Sequence, residues 1–187
     1  MKNILFAAAI AACAMPFAAN AQDTGSDANP PRIQPYVGVM GGMEDFDREP
    51  SAAGIPPVGF KGGLVEGVAG VNIAVAGPLI IGAEGSVAKG TKGDIDWQYG
   101  AAGRVGIRAG HDSMIFGKVG YRWTNFDALG PTSRDYDGMT YGAGVELSAR
   151  DMGATEGAAS HFKIRAQADT FGNFHSIRPM IGVVAGF

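Results

Sequence analysis

The chain has 187 residues, a formal charge of −3, only 18% charged residues and a mean hydropathy of +0.06. The length suits one domain, and the near-neutral balance argues against nucleic-acid binding, which needs a basic face. So few charges are odd for a protein surrounded by water and ordinary for one with a lipid-facing side; thirty glycines are spread along the chain rather than gathered in one low-complexity tract.

The N-terminus reads as a secretory signal peptide over residues 1–21. Lys2 supplies the positive start, Ile4 to Phe17 the apolar stretch, and Ala19-Asn20-Ala21 the small-x-small cleavage site. The apolar stretch is too short for a spanning helix, which needs about 20 residues. Cys13, the one cysteine, lies inside it. A lipoprotein signal is the rival reading, because Ile10-Ala11-Ala12-Cys13 loosely fits a lipobox, but the apolar run continues past Cys13 to Phe17. Residues 22–34, polar and Pro-rich, are expected to be a flexible lead-in. Residues 35–187 form the remaining domain. No other segment offers about 20 apolar residues in a row, so if this domain spans a membrane it must do so as a closed barrel, the other arrangement that satisfies the backbone in lipid.

From Pro35 onward the hydrophobic period is two. Eight strands are predicted: Pro35 to Met43, Lys61 to Val75, Leu79 to Lys89, Ile95 to Arg108, Ser113 to Asn125, Met139 to Ala149, His161 to Phe171 and Ile177 to Phe187. The fourth shows the pattern well. Trp97, Tyr99, Ala101, Gly103, Val105 and Ile107 oppose Gln98, Gly100, Ala102, Arg104, Gly106 and Arg108. One face of each strand is apolar and nearly uncharged; the other mixes glycine, small residues and isolated charges. This is the alternation of a transmembrane β-barrel. A soluble lipocalin-like carrier would reverse the polarity, with apolar residues inside. Alternation alone does not say which face is inside, and the aromatics carry that argument. With the N-terminus in the periplasm, Trp97, Tyr99, Tyr121, Trp123 and Tyr141 fall at the outer ends of strands four to six. Phe162 and Phe187 fall at the periplasmic ends of strands seven and eight. All are on the apolar face, where Trp and Tyr settle between hydrocarbon and headgroup. The short linkers at Ala76 to Pro78 and Ala109 to Asp112 suit periplasmic turns, and the longer polar ones at Glu44 to Phe60 and Phe126 to Gly138 suit outer loops. The linker Arg150 to Ser160 is too long for the scheme. Pro179, inside the last strand, cannot donate to a ladder and suggests either a bulge near the outer rim or a strand start at Ile177 that is placed too late.

The segments Pro35-Tyr36-Val37-Gly38-Val39, Gly82-Ala83-Glu84-Gly85, Gly103-Arg104-Val105-Gly106, Phe116-Gly117-Lys118-Val119-Gly120-Tyr121 and Tyr141-Gly142-Ala143-Gly144-Val145-Glu146, with the terminal Phe187, carry a resemblance. The chain resembles the small outer-membrane β-barrel proteins typified by the transmembrane domain of outer-membrane protein A, and the related opacity and surface-antigen, porin-like proteins. The resemblance covers essentially the whole mature chain. It implies an all-β, eight-stranded antiparallel up-and-down transmembrane barrel in the cell outer membrane of a Gram-negative bacterium. It further implies an interior salt-bridge cluster and a role for Phe187 in the signal read by the barrel-assembly machinery. The peptidoglycan-binding domain that follows in some relatives is absent from this sequence.

The inward positions include Glu66, Glu84, Arg104, Arg108, Lys118, Arg122, Glu146, Lys163, Arg165, Asp169 and Arg178. An eight-stranded barrel is only wide enough for its own side chains, and unpaired charges inside it would each cost several kcal/mol. Glu84 and Glu146 are therefore expected to pair with Arg104, Lys118 and Arg165 at mid-level, plugging the lumen; a small porin-like channel is the alternative. No enzymatic site, metal site or cofactor is expected. His111, His161 and His175 lack zinc spacing. The glycines from Gly100 to Gly106 are no dinucleotide fingerprint, because no helix follows. A lipid A deacylase would need a lipid-facing serine beside a histidine; His175-Ser176 is the one near match, and neighbours along a strand face opposite ways. Glu44, Asp45, Asp47, Glu49, Asp94, Asp96, Asp135 and Asp137 read as solvated outer-loop acids, or as carboxylates bridging through divalent cations to lipopolysaccharide phosphates. The expected partners are outer-membrane lipid and lipopolysaccharide, with the barrel-assembly machinery and periplasmic chaperones during biogenesis. A host or phage ligand could bind the outer loops. A monomer without nucleic acid is expected, serving envelope integrity or surface interaction.

Overall fold

An extended strand leaves its backbone N–H and C=O groups unsatisfied by itself, so the strands must pair. In a computed structural model of the protein they do so all the way round. The structure describes residues 33–46, 61–92, 95–126, 136–153, 161–172 and 176–187. The expected signal peptide and most of the lead-in lie outside the described residues. The strands are β1 (Ile33–Phe46), β2 (Lys61–Ala76), β3 (Leu79–Lys92), β4 (Ile95–Ala109), β5 (Ser113–Phe126), β6 (Tyr136–Ser148), β7 (Phe162–Phe171) and β8 (Ser176–Gly186). Each pairs antiparallel with the next, and β1 pairs with β8 to close an up-and-down barrel. Closure removes the sheet edges that would otherwise present unpaired backbone.

Several strands run further than the apolar alternation predicts. At the end of the barrel where β1 ends and β8 begins, β1 continues past Met43 to Phe46, β3 past Lys89 to Lys92, and β6 begins at Tyr136 rather than Met139. Backbone partners are still available there, so the ladder continues where the hydrophobic signal has stopped. The alternation marks only the part of each strand that meets lipid. On β5 that part runs from Ile115 to Trp123 and on β6 from Leu147 to Met139. About nine residues make roughly 27 Å along a strand and about 20 Å along the axis at the usual tilt, close to the ~25 Å apolar band of such barrels.

The two faces separate cleanly. Ile107, Ile115, Ile177 and Ile181, facing out, are 60%, 61%, 67% and 62% exposed. Glu66, Glu84, Arg104, Glu146, Arg165 and Arg178, facing in, are all buried. The inward side also has apolar parts. Met40, Leu64, Val68, Ala88 and Met180 cluster along β8, β1, β2 and β3, and Ile80, Met114 and Phe116 form a second group. The lumen is thus packed like a protein core on one side and ion-paired on the other.

Pro179 produces a gap rather than a bulge. On the β1–β8 seam Gly42 pairs with Met180 and Asp45 with Ile177, in the same register. Met43 and Glu44 are not paired with Pro179 and Arg178 across that seam, although both of the latter pair normally with β7. The expected bulge is therefore corrected: the missing N–H removes a ladder bond without shifting the strands.

The β6–β7 linker, anomalous by length, has a local explanation. The Asp151 carboxylate lies over the β4–β5 turn and accepts from the backbone N–H groups of His111 (2.8 Å), Asp112 (3.1 Å) and Ser113 (2.9 Å). It also accepts from the Ser113 hydroxyl (2.6 Å), which itself accepts from Ser148 N–H at 3.1 Å. Gly110 makes this contact feasible. Its φ is +76°, and a Cβ there would lie 2.8 Å from the carboxylate. Residues 150–153 turn back to tie two neighbouring connections together.

Candidate functional site

The inward-facing ion cluster is the site with the most developed chemistry, and it grows directly from strand parity. Glu84 on β3, Arg104 on β4, Lys118 on β5, Glu146 on β6 and Arg165 on β7 all point into the lumen, and the structure brings these five together. Arg104 reaches Glu146 at 2.6 Å and Glu84 at 3.4 Å. Arg165 lies 2.7 Å from Glu146 and pairs with Glu84 as well. Lys118 lies 3.5 Å from Glu84 and 3.0 Å from Asp169. Two guanidinium groups thus bridge two carboxylates in a ring, and Lys118 joins that ring to a second cluster.

The second cluster sits towards the far end of the barrel. Arg122 lies between Glu44 (3.2 Å) and Asp169 (3.3 Å). Glu44 also accepts from Gln98 Nε2 at 2.6 Å and from Ser176 Oγ at 3.3 Å. Arg178 pairs with Glu66 at 3.1 Å. Among the described residues of the lumen wall, the buried carboxylates Glu44, Glu66, Glu84, Glu146 and Asp169 face Arg104, Lys118, Arg122, Arg165 and Arg178. The charges balance, as they must where isolated ions would be expensive.

Two inward rings join the cluster. Tyr36 on β1 and Phe116 on β5 lie beside the guanidinium groups of both Arg104 (5.1 and 4.1 Å) and Arg165 (5.0 and 5.4 Å). The Tyr36 hydroxyl donates to Glu84 at 2.8 Å and accepts from Arg104 at 2.7 Å. Cations over aromatic faces gain more where water is excluded. Gly144 permits the arrangement, because a Cβ there would lie 2.7 Å from the Phe116 ring. Acid, base and ring thus meet on the inward face.

This polarity excludes a soluble lipocalin-like carrier, whose ligand cavity would be apolar and whose exterior would be polar. No protein-family model matches the chain, and no curated protein does. Among solved structures, the attachment invasion locus protein Ail of Yersinia pestis aligns over 84% of this chain and 100% of its own, at 15% identity and a TM-score of 0.51. The fold is that of the small outer-membrane β-barrels. Neisserial surface protein A aligns at 12% identity and a TM-score of 0.49, over 82% of this chain and 97% of its own. A de novo designed transmembrane β-barrel aligns at 12% and 0.47, over 86% and 100%.

On the barrel's outer face, Tyr99, Trp123, Tyr141, Phe162 and Phe187 are exposed, and Trp97 and Tyr121 half-buried. Trp97 stacks on Tyr99 at 6.5 Å, and Tyr121 tilts against Trp123 at 5.0 Å. The described Trp and Tyr residues of this face occupy β4, β5 and β6 alone, making a sector rather than a full belt. The Phe187 N–H donates to Pro35 O at 2.9 Å, closing the last ladder position.

The loop-acid reading is corrected at two positions. Glu44 is no solvated loop tip: it lies in β1, is 1% exposed and belongs to the lumen cluster. Its parity matches Tyr36 and Met40, so continued alternation past Met43 would have revealed it. Asp137 lies in β6 and accepts from the Tyr121 hydroxyl. Asp45 is exposed at the end of β1. The side chains of Asp47, Glu49, Asp94, Asp96 and Asp135 lie outside the described residues. Ser176 is buried in the lumen against Glu44, so it is not the lipid-facing nucleophile that a deacylase requires; His175 lies outside the described residues.

Proposed function

We propose that this barrel is a monomeric scaffold of the Gram-negative outer membrane. Its lumen is closed, and it serves envelope integrity or surface interaction through the segments joining β1–β2, β3–β4, β5–β6 and β7–β8. The inward ion cluster supports the reading. Arg104 and Arg165, each shared between Glu84 and Glu146 and flanked by Tyr36 and Phe116, occupy the space an ion would have to cross. Opening it would break several buried pairs, each costing about 3–5 kcal/mol when one partner is left alone. Thermal energy does not supply that at a useful frequency. The name of the structural neighbour Ail, an attachment invasion locus protein, is compatible with a surface role for loops held on such a scaffold.

Planar-bilayer recording tests the closed lumen. Purified, refolded barrel is expected to give no large, stable conductance, whereas Arg104→Ala with Arg165→Ala is expected to raise it. Large conductance in the unaltered protein would overturn the reading. Exchanging the four connecting segments one at a time, scored by binding of cells displaying the barrel to host matrix, tests the surface role separately.

A further inference from the structure

The apolar exterior is uneven in a way that the fold does not require. Inward glycines are forced: a Cβ at Gly82 would lie 2.5 Å from Val71 O, and one at Gly144 2.7 Å from Ala166 O. Outward Gly85 and Gly103 are not, since a Cβ there would meet nothing nearer than 3.9 and 4.0 Å. A lipid-facing strand gives up β-propensity and apolar contact at a glycine, and the room these two leave lies outside the barrel. Both belong to one lane. Read down the β3–β4 ladder, the outward pairs are Lys89–Trp97, Val87–Tyr99, Gly85–Ala101, Ala83–Gly103 and Ile81–Val105. A cation and two rings head the lane, two rows of small residues form its floor, and exposed Ile81 and Val105 close it. From Tyr99 to Val105 it runs about 20 Å along the strand.

The head of the lane has more than hydrocarbon chemistry. Lys89 Nζ lies 4.8 Å from the Trp97 ring centre, and Trp97 stacks on Tyr99 within 7° of parallel. Trp123 pairs with Tyr99 across the ladder, and Tyr121 donates to the exposed Asp137 carboxylate. Flat rings therefore lie between a cation on β3 and an anion on β6, three inter-strand steps or about 14 Å apart around the wall. The corresponding outer ends of β8, β1 and β2 carry Ile177, Met43 and Val65, so the membrane interface alone does not dictate rings here. We propose that this lane seats an acylated glycolipid with a phosphorylated disaccharide head. The C–H faces of the sugars rest on the negative faces of the rings, the phosphate meets Lys89, a sugar hydroxyl donates to Asp137, and one acyl chain lies over Gly85, Ala101 and Gly103. A phospholipid offers the phosphate and the chain but no flat face for the rings. The inference rests on the outer-membrane placement proposed above.

Trp97 and Trp123 are the two tryptophans of the chain, so tryptophan fluorescence reports on this sector alone. The test places folded barrel in vesicles of brominated phosphatidylcholine, whose bromines quench by contact, and adds lipid A, dephosphorylated lipid A or unbrominated phosphatidylglycerol. Quenching is expected before addition. Lipid A should relieve it at about tenfold lower mole fraction than phosphatidylglycerol, as one further charge-assisted contact predicts. Lys89→Met should abolish the preference for lipid A over its dephosphorylated form. Gly85→Leu with Gly103→Leu should fill the lane and abolish the preference for lipid A over phosphatidylglycerol, while heat-modifiable gel mobility shows the barrel still folded. Equal relief by lipid A and phosphatidylglycerol, or an unchanged preference in the leucine variant, would overturn the proposal and leave the membrane placement standing. Relief that rises with protein density before lipid A is added would put a second copy in the lane instead. Absence of quenching would sink the outer-membrane placement itself, and this inference with it.

Discussion

Arg104 illustrates how much one inward side chain can hold. It meets Glu84 and Glu146, accepts the company of Tyr36 and Phe116, and stands directly across the ladder from Lys118. Replacing it with methionine keeps the bulk but leaves two buried carboxylates short of a cation. The expected loss is about 3–5 kcal/mol, measured by urea unfolding in lipid vesicles. Adding Glu146→Gln to Arg104→Met should recover part of that loss, because the second change removes the orphaned charge; a fully additive double variant would show that the two residues are not coupled. The members of the mid-level cluster could be read from parity alone. Tyr36 and Phe116 could not be assigned to it, because an aromatic on an inward position has a commoner explanation.

At the scale of elements, the strands were legible where lipid imposes alternation and illegible beyond it. The extensions of β1, β3 and β6 lie past the apolar band, where only backbone pairing specifies structure. The gap at Pro179 yields a prediction in which two effects oppose. Pro179→Ala restores an N–H towards β1, worth about 0.5–1.5 kcal/mol if it bonds. It also frees the unfolded chain, which costs about 0.4–1 kcal/mol. The net change in stability should be under about 1 kcal/mol, while the new amide at position 179 should be strongly protected in hydrogen exchange. An unprotected amide there would mean that the seam is open for some other reason.

The Asp151 clamp belongs to the same scale. Its hydrogen bonds, first from the Ser113 hydroxyl and then from the backbone N–H of His111, hold the Asp151 carboxyl well below the usual carboxylate range. A depressed folded-state value means that the contribution is complete above the ordinary aspartate range near 4 and is lost only as pH falls through the folded value. Asp151→Ala should therefore speed exchange of the amides at 111–113 by the same factor at pH 8 and pH 5, with little effect on the global transition. A difference between those two pH values would contradict the assignment. Nothing in the spacing of the linker announced this contact, since it joins residues about 40 apart.

For the whole molecule, the decisive contrast is between what surrounds the barrel and what fills it. An arginine placed outward at Val105 or Val145 should cost about 2–4 kcal/mol near the bilayer midplane. Spin labels at Val71 and Val183 should report hydrocarbon. A water-exposed signal at those positions would remove the membrane reading.

The sequence by itself determined the strand number, the face each residue takes and the charge content of the lumen, because a period of two is a local property that lipid enforces residue by residue. Tertiary structure alone decided which acid meets which base, that Tyr36 and Phe116 flank the two guanidinium groups, that the Pro179 seam keeps its register and that Asp151 caps a distant turn. Those contacts depend on the relative stagger of non-neighbouring strands around the closed barrel, and stagger is set by closure rather than by any single stretch of chain.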